Sequence, residues 1–395
     1  MSGLLAGVLY TPAVLGVVLL LIPLAFALSA AATWLVLIAA GRARVFDTAA
    51  VYGQAKEGRR SIPNIGGVAV FLSITGPMAA GLIAAFIIEP TTIPALAAHL
   101  DGVRAQAPEA AVVIVGLGAL HVLGLVDDRR PLGPVLKLGV MLAASLAVIV
   151  LTDTRLLTAL DAHAGGPWLS VVVTVVWFLA VTNALNFIDN MDGLSAGVSM
   201  VAAACFLIAA LVAGEWFVAA VLALMVGTCA GFLVWNRPPA RIFMGDGGSL
   251  VLGFLLAFLT ARTTYFGQTP TGEPLAGGWY GVFMPLLVLA MPLYDLVSVT
   301  IMRLRQGRSP MVGDLQHLSH RLVKRGLSKP ASVGAIWTLT LVTGIGGIVI
   351  GRLPGWGAAL IAAQTLLLLA LIAGLELATS PAGARRDSLE VPRDG

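Results

Sequence analysis

The chain has 395 residues, 58% of them hydrophobic and 11% charged, whereas a soluble domain carries about 25% charged residues. A mean hydropathy of +0.94 excludes a soluble enzyme, a disordered tail protein and a secreted disulfide scaffold, for which two cysteines are too few. The net charge of +4 is spread through connecting segments and gives no reason to expect a nucleic-acid partner.

Charge-free runs such as 14–40, 66–88 and 356–375 reach the roughly 20 residues that cross a bilayer as a helix. Eleven apolar segments, centred near Leu20, Met78, Gly118, Ser145, Val176, Ala204, Leu224, Leu255, Val288, Thr340 and Leu367, predict an all-α polytopic integral membrane protein of about eleven transmembrane helices. Residues 1–379 are expected to form one transmembrane domain, and the polar stretch 380–395 a disordered cytoplasmic tail. No Lys or Arg precedes Arg42, so the first span lacks the basic region of a cleavable signal and is expected to stay. Of the 24 Lys and Arg, all but Arg104, Arg155, Arg262 and Arg352 fall in one alternating set of connections. By the positive-inside rule that set is cytoplasmic, with the N-terminus outside and the C-terminus inside. Cys205 and Cys229 lie in apolar runs and read as core packing.

The unusual polar clusters all fall on the expected cytoplasmic side. In chain order, the first is Asp127-Asp128-Arg129-Arg130, with Lys137 beyond Pro131 and Pro134. Adjacent carboxylates at a helix end need a cation or a shared proton. Arg129 and Arg130 supply an ordinary membrane border, while Lys137 allows a carboxylate base and an ammonium to share a phosphate-handling groove. The second is Asn183, Asn186, Asp189, Asn190 and Asp192 before Gly193. The three amides at i, i+3 and i+7 share one face of a helix, and intramembrane polar groups are functional by default. This oxygen-rich set suits a hard cation such as Mg2+. The third, Asn236 to Ser249, brackets Asp246 with glycines, presenting a carboxylate beside open backbone N–H groups suited to a metal–diphosphate. The fourth runs from Arg303 to Lys329. With Asp314 capping a short helix and Gly326 ending it, His317, His320, Arg321 and Lys324 share a face that suits a di-anionic group, and Leu315, Leu318 and Leu322 share another.

Weaker candidates remain. His99 and His163 fall in expected outer loops, with 89–109 read as a connector. His121 reads as packing or support for Asp127, Asp295 as a partner orienting Arg303 or His317, and Glu376 as a carboxylate reaching the interface.

Together with Ile62-Pro63-Asn64-Ile65-Gly66-Gly67, these clusters make five segments between about Arg59 and Lys329. The sequence resembles the polyprenyl-phosphate N-acetylhexosamine-1-phosphate transferases, of glycosyltransferase 4 type. It is most similar to the branch transferring GlcNAc-1-phosphate to undecaprenyl phosphate, a relative of the phospho-MurNAc-pentapeptide transferases. The resemblance implies ten or eleven helices around a cytoplasmic groove in which Mg2+, or Mn2+ in its place, bridges the diphosphate of a UDP-N-acetylhexosamine. Asp246 matches the principal metal ligand and Asn186 its amide partner. Asp189 and Asp192 match positions near the nucleoside, and His317 and His320 positions that engage phosphate. Lys137, Asn183, Arg321 and Lys324 are expected to contact substrate. Asp127 is expected to take a proton from the acceptor phosphate, and Asp128 to hold Lys137 or a water; direct attack and a covalent aspartyl intermediate are both open. The chain departs from the family pattern at Leu315, Ser319, Asn190 and Gly58-Arg59-Arg60.

The expected activity is transfer of a sugar 1-phosphate to a membrane polyprenyl phosphate with release of UMP, the first lipid-linked step of an envelope polysaccharide. The expected enzyme resides in the plasma membrane and includes a homodimer among its expected assemblies. Transfer of phospho-MurNAc-pentapeptide is the alternative donor reading. An anionic-solute transporter is the alternative class; it calls for ionisable groups at the bilayer midplane, whereas these carboxylates crowd one boundary.

Overall fold

In the computed structural model the described residues are 12–43, 62–89, 94–263, 279–309 and 315–378. They form α1 (Pro12–Ala43), α2 (Gly67–Ile87), α3 (Pro94–Arg129), α4 (Pro134–Thr152), the single turn α5 (Asp161–Ala164), α6 (Trp168–Phe187), α7 (Leu194–Ala213), α8 (Trp216–Asn236) and α9 (Asp246–Arg262). The short α10 (Met284–Val288) follows, then α11 (Ala290–Arg305), α12 (Leu318–Lys324), α13 (Lys329–Ile350) and α14 (Gly355–Ala378). No strand occurs among the described residues. The expected tail 380–395, the basic residues Lys56, Arg59 and Arg60, and the expected cap Asp314 lie outside them.

Lipid offers backbone groups no partner, so apolar runs close their hydrogen bonds internally as helices. The breaks are local chemistry. Gly193 and Gly245, at φ 74° and 70°, take left-handed backbone just before α7 and α9, which residues with a Cβ resist. Pro134 opens α4 from an extended Gly133, and Ser328 Oγ accepts the Ala331 N–H at the start of α13.

Among the described residues nine helices are long and apolar enough to cross a bilayer, or ten if 281–288 and 290–305, bent by 67°, form one broken span. The expected eleventh, centred on Leu255, is α9. It has 17 residues, about 25 Å at 1.5 Å per residue, the lower end of what crosses a bilayer. Gly247 to Ala261 are buried without exception, so α9 is the axis of the bundle rather than a lipid-facing span. Apolarity alone does not separate the two situations. A correction concerns 89–109, expected as a connector. α3 already runs from Pro94, placing His99 in a helix, and His163 lies in α5.

Helices in lipid associate through small residues that let backbones approach, and α9 is gripped this way. Gly67 of α2 abuts the main chain of Gly247 and Gly248, Gly124 of α3 abuts Asp246 and Gly247, and Gly253 abuts Thr182 of α6. Backbone hydrogen bonds from Gly66 and Gly67 to the Phe243 and Met244 carbonyls (2.9 and 2.8 Å) lock the approach to α2 against the approach to α9. The C-terminal ends of α3, α6, α8, α11 and α14 thereby meet the N-terminal ends of α2, α4, α7, α9 and α13 at one end of the bundle. The polar clusters lie there.

Candidate active site

Asp246 is the first residue of α9, the turn where four backbone N–H groups lack helical partners. Asp128 fills that role from α3. It accepts the N–H of Asp246 (3.1 Å) and of Gly247 (3.3 Å), and Asn64 Nδ2 donates to the same carboxylate (3.1 Å). A carboxylate at a helix N-terminus is favoured by the helix dipole. Asp128 therefore does not hold Lys137, as the sequence suggested. Neighbouring residues on a helix diverge by about 100°, so Asp128 faces α9 while Asp127 faces α4.

Lys137 Nζ donates to Asp127 Oδ2 (2.9 Å) and to Asp246 Oδ2 (2.5 Å), bridging α3, α4 and α9. The other oxygen of each carboxylate is also engaged. Asp127 Oδ1 accepts the Leu132 N–H (2.7 Å). Asp246 Oδ1 accepts Asn186 Nδ2 (2.9 Å), which also donates to Ser249 Oγ (2.9 Å). Behind this centre His121 stacks on Phe71 at 4.5 Å, with Nδ1 2.7 Å from the Gly247 carbonyl.

The amide stripe is only partly realised. α6 ends at Phe187, so Asn186 sits on the helix and Asn190 in the following turn. Asn183 donates to Leu179 O of its own helix (2.7 Å) and does not join the centre. Asn190 donates to Phe187 O (2.7 Å) and accepts Ser319 Oγ (2.5 Å), tying this turn to the histidine segment. Asp192 accepts the Ala240 N–H (2.9 Å), so it fixes the α8–α9 loop. Asn236 does the same from α8, accepting the Gly193 N–H and donating to Ile242 O. Burial, and next the charges of Asp246 and Asp128, hold the Asp189 carboxyl well above the usual carboxylate range.

The histidine face also differs from expectation. α12 begins at Leu318, leaving His317 just before it. Asp295 of α11, buried at 2% exposure, accepts the Leu318 N–H on Oδ1 (2.6 Å) and pairs with His317 Nδ1 on Oδ2 (2.8 Å). Of the two partners foreseen for Asp295, it is His317 that it orients. Arg321 turns away from any anion site: its guanidinium donates to Glu376 (2.8 Å), Ser298 (2.9 Å) and Gln316 O. Glu376 also accepts Tyr294 Oη (2.8 Å), so it is a clamp between α11, α12 and α14 instead of an interfacial carboxylate. Lys324 is exposed, 3.5 Å from Leu315 O. His320 lies 6.4 Å from His317 between ring centres. Burial, then the charges of His317 and Lys324, push its imidazole down to about 4, so it is neutral at pH 7. The clamp of Glu376 and Tyr294 left no signal in spacing; Asn64 had one, inside the Ile62 to Gly67 segment.

Among the described residues no three His, Cys, Asp or Glu side chains converge into a metal cage. The oxygen donors present, one carboxylate at Asp246 with the Asn186 amide beside it, suit a cation that keeps waters and takes its remaining ligands from substrate phosphates. That is the habit of Mg2+.

Residues 110–264 match glycosyl transferase family 4. The chain is 28% identical over 298 residues, 75% of each chain, to a probable undecaprenyl-phosphate N-acetylglucosaminyl 1-phosphate transferase of Bacillus subtilis. It is 31% identical to the decaprenyl-phosphate N-acetylglucosaminephosphotransferase of Mycolicibacterium smegmatis, across 70% of this chain and 68% of that one. It is 33% identical to a phospho-N-acetylmuramoyl-pentapeptide-transferase of Desulforudis audaxviator, across 72% of this chain and 83% of the relative.

Proposed function

Because the chain belongs to glycosyl transferase family 4, we propose that it transfers GlcNAc-1-phosphate from UDP-GlcNAc to a membrane polyprenyl phosphate, releasing UMP. The observation that carries this reading is Lys137 held between Asp127 and Asp246. One ammonium set between two carboxylates at the end of a helix bundle is a site for phosphate chemistry at a lipid boundary. The distribution of basic residues supports a cytoplasmic position for it.

In this reading an oxygen of the acceptor phosphate forms a bond to the sugar-bearing phosphorus, and the bond from that phosphorus to the bridging oxygen breaks, its electron pair leaving with UMP. The displacement is direct. Asp127, with both oxygens engaged, is a poor nucleophile but is placed to take a proton from the acceptor phosphate. Lys137 neutralises the meeting phosphates. Asn186 orients Asp246, and Asp246 with Asn186 would hold Mg2+, which when bound neutralises the diphosphate and the leaving group. Asp295 orients His317 toward the phosphates, and Asp189 lines the donor side.

Purified protein incubated with UDP-GlcNAc, polyprenyl phosphate and Mg2+ is expected to release UMP only when all three are present. No UMP under any of these conditions overturns the reading. The 33% identical relative named for the pentapeptide donor makes competition between UDP-GlcNAc and UDP-MurNAc-pentapeptide the second test. The short segment around His317 and His320 offers few groups to hold a peptide, so UDP-GlcNAc is expected to win.

A further inference from the structure

Two of the positions at which the chain departs from the family pattern, Asn190 and Ser319, are bonded to each other. Asn190 lies in the turn after α6 and Ser319 in the first turn of α12, 129 residues further on, and the Ser319 hydroxyl donates to Asn190 Oδ1 at 2.5 Å. Ser319 is 1% exposed, so its hydrogen bonds are made inside the protein. On either side the two segments are fastened elsewhere, Asp192 to the Ala240 N–H and the start of α12 to Asp295.

Three contacts in a row fix where each proton sits. Asn190 Nδ2 donates to the Phe187 carbonyl at 2.7 Å. A carbonyl only accepts, so the amide cannot be turned the other way round. Its Oδ1 therefore faces Ser319 and takes the single hydroxyl hydrogen. What Ser319 Oγ has left are lone pairs, and beside them, at a long 3.5 Å, is Nδ1 of His320. A bare Nδ1 there sets lone pair against lone pair, whereas an N–H on Nδ1 faces an acceptor. The imidazole, neutral at pH 7, is thereby assigned its proton on Nδ1, which leaves Nε2 bare. The ring is half-buried, and among the described residues none pairs with its Nε2.

We propose that Asn190 and Ser319 are a positioning pair that fixes the tautomer of His320, so that the ring meets the donor through a bare Nε2 that accepts an O–H or N–H. The proposal rests on the phosphotransfer reading above and changes what His320 recognises. A bare nitrogen repels an ionised phosphate oxygen, which has no hydrogen to give. It favours the hydroxyls and the acetamido N–H that a UDP-N-acetylhexosamine carries on its sugar. His317 is backed by a carboxylate, Asp295, and His320 by a neutral hydroxyl, so the two histidines are not interchangeable. Asn190 matters because it turns the Ser319 hydroxyl away from His320. Without it the hydroxyl is free to donate to Nδ1, and the ring then carries its proton on Nε2 instead.

Two measurements test this. In protein with labelled histidine nitrogens, the His320 signals being those lost in His320→Gln, NMR at neutral pH is expected to show a protonated Nδ1 and a bare Nε2. Asn190→Ala should shift the ring toward the opposite tautomer, and Ser319→Ala should leave a mixture. A parent ring with its proton on Nε2, or a tautomer that neither variant moves, overturns the proposal. The spectrum needs no turnover, so a protein that releases no UMP still decides the tautomer. In turnover, Asn190→Ala and Ser319→Ala are each expected to lower kcat/KM for UDP-GlcNAc by about tenfold while the KM for polyprenyl phosphate stays put. The double variant should be no worse than the worse single one, because both changes remove the same constraint. No loss in either variant, losses that multiply in the double variant, or equal losses toward both substrates overturn the proposal.

Discussion

Asp246 is held by two unlike donors, an ammonium on Oδ2 and an amide on Oδ1, and its role depends on charge as much as on shape. Asp246→Asn keeps the size and removes the charge, so UMP release should fall by at least about a hundredfold while the protein purifies and unfolds as before. Asp295→Asn makes a subtler point. The amide can still accept the Leu318 N–H, but it presents N–H to His317 Nδ1 and reverses the imidazole tautomer that Asp295 imposes. A loss of roughly a hundredfold in kcat with an unchanged KM for the donor is expected. His320 gives a pH prediction with a definite sign. Its folded value, about 4, lies below the ordinary 6.5, so between those values the unfolded chain binds a proton the folded chain refuses, and stability falls as pH drops through that window. His320→Gln should flatten the loss between pH 6.5 and 4 in detergent melts, and leave the acid limb of the rate profile where it was.

At the scale of helices, two kinds of joint hold the site, and they differ in how they should fail. The joint of α2, α3 and α9 is main chain on main chain at Gly67 and Gly124. Gly124→Ala cannot be absorbed by a rotamer, and a cost of about 3 kcal/mol or more is expected, read as lost thermal stability together with lost activity. The joint of α11, α12 and α14 is polar, through Glu376, Tyr294 and Arg321. Glu376→Gln should cost about 1–3 kcal/mol, since it weakens charge-assisted bonds to a well-buried guanidinium. The contrast explains what could be read in advance. Asp246, Asn186 and Lys137 were legible because polar groups have few reasons to sit at the end of an apolar helix. Arg321, expected at a phosphate, is instead seen paired with Glu376, because spacing places it on the same face as His320 but says nothing of a partner 55 residues later. Asn183 departs from its expected place for a related reason: spacing sets its face on the helix, but a bond to the Leu179 carbonyl one turn back engages its amide within the helix.

The whole molecule alternates cleanly enough for its orientation to be tested directly. Ala162 and Leu327 are exposed at opposite ends of the bundle, and both native cysteines are buried. In intact cells a membrane-impermeant maleimide should label Ala162→Cys at once and Leu327→Cys only after permeabilisation; the reverse pattern would invert the topology and place the site outside. Eleven apolar segments were visible in the sequence, but which of them is the axis was not, because a helix enclosed by protein and one bathed in lipid obey the same apolar rule. That axis, α9, also sets an order of events. The ribosome delivers Gly67, Gly124, Asp127 and Lys137 well before Asp246 and the glycines that dock against them. A chain halted anywhere short of α9 carries the receiving surfaces without the helix they receive, and one halted before His317 lacks His320 as well. The centre is therefore assembled only once α9 has been made and docked, because residues from both sides of it in the chain meet there.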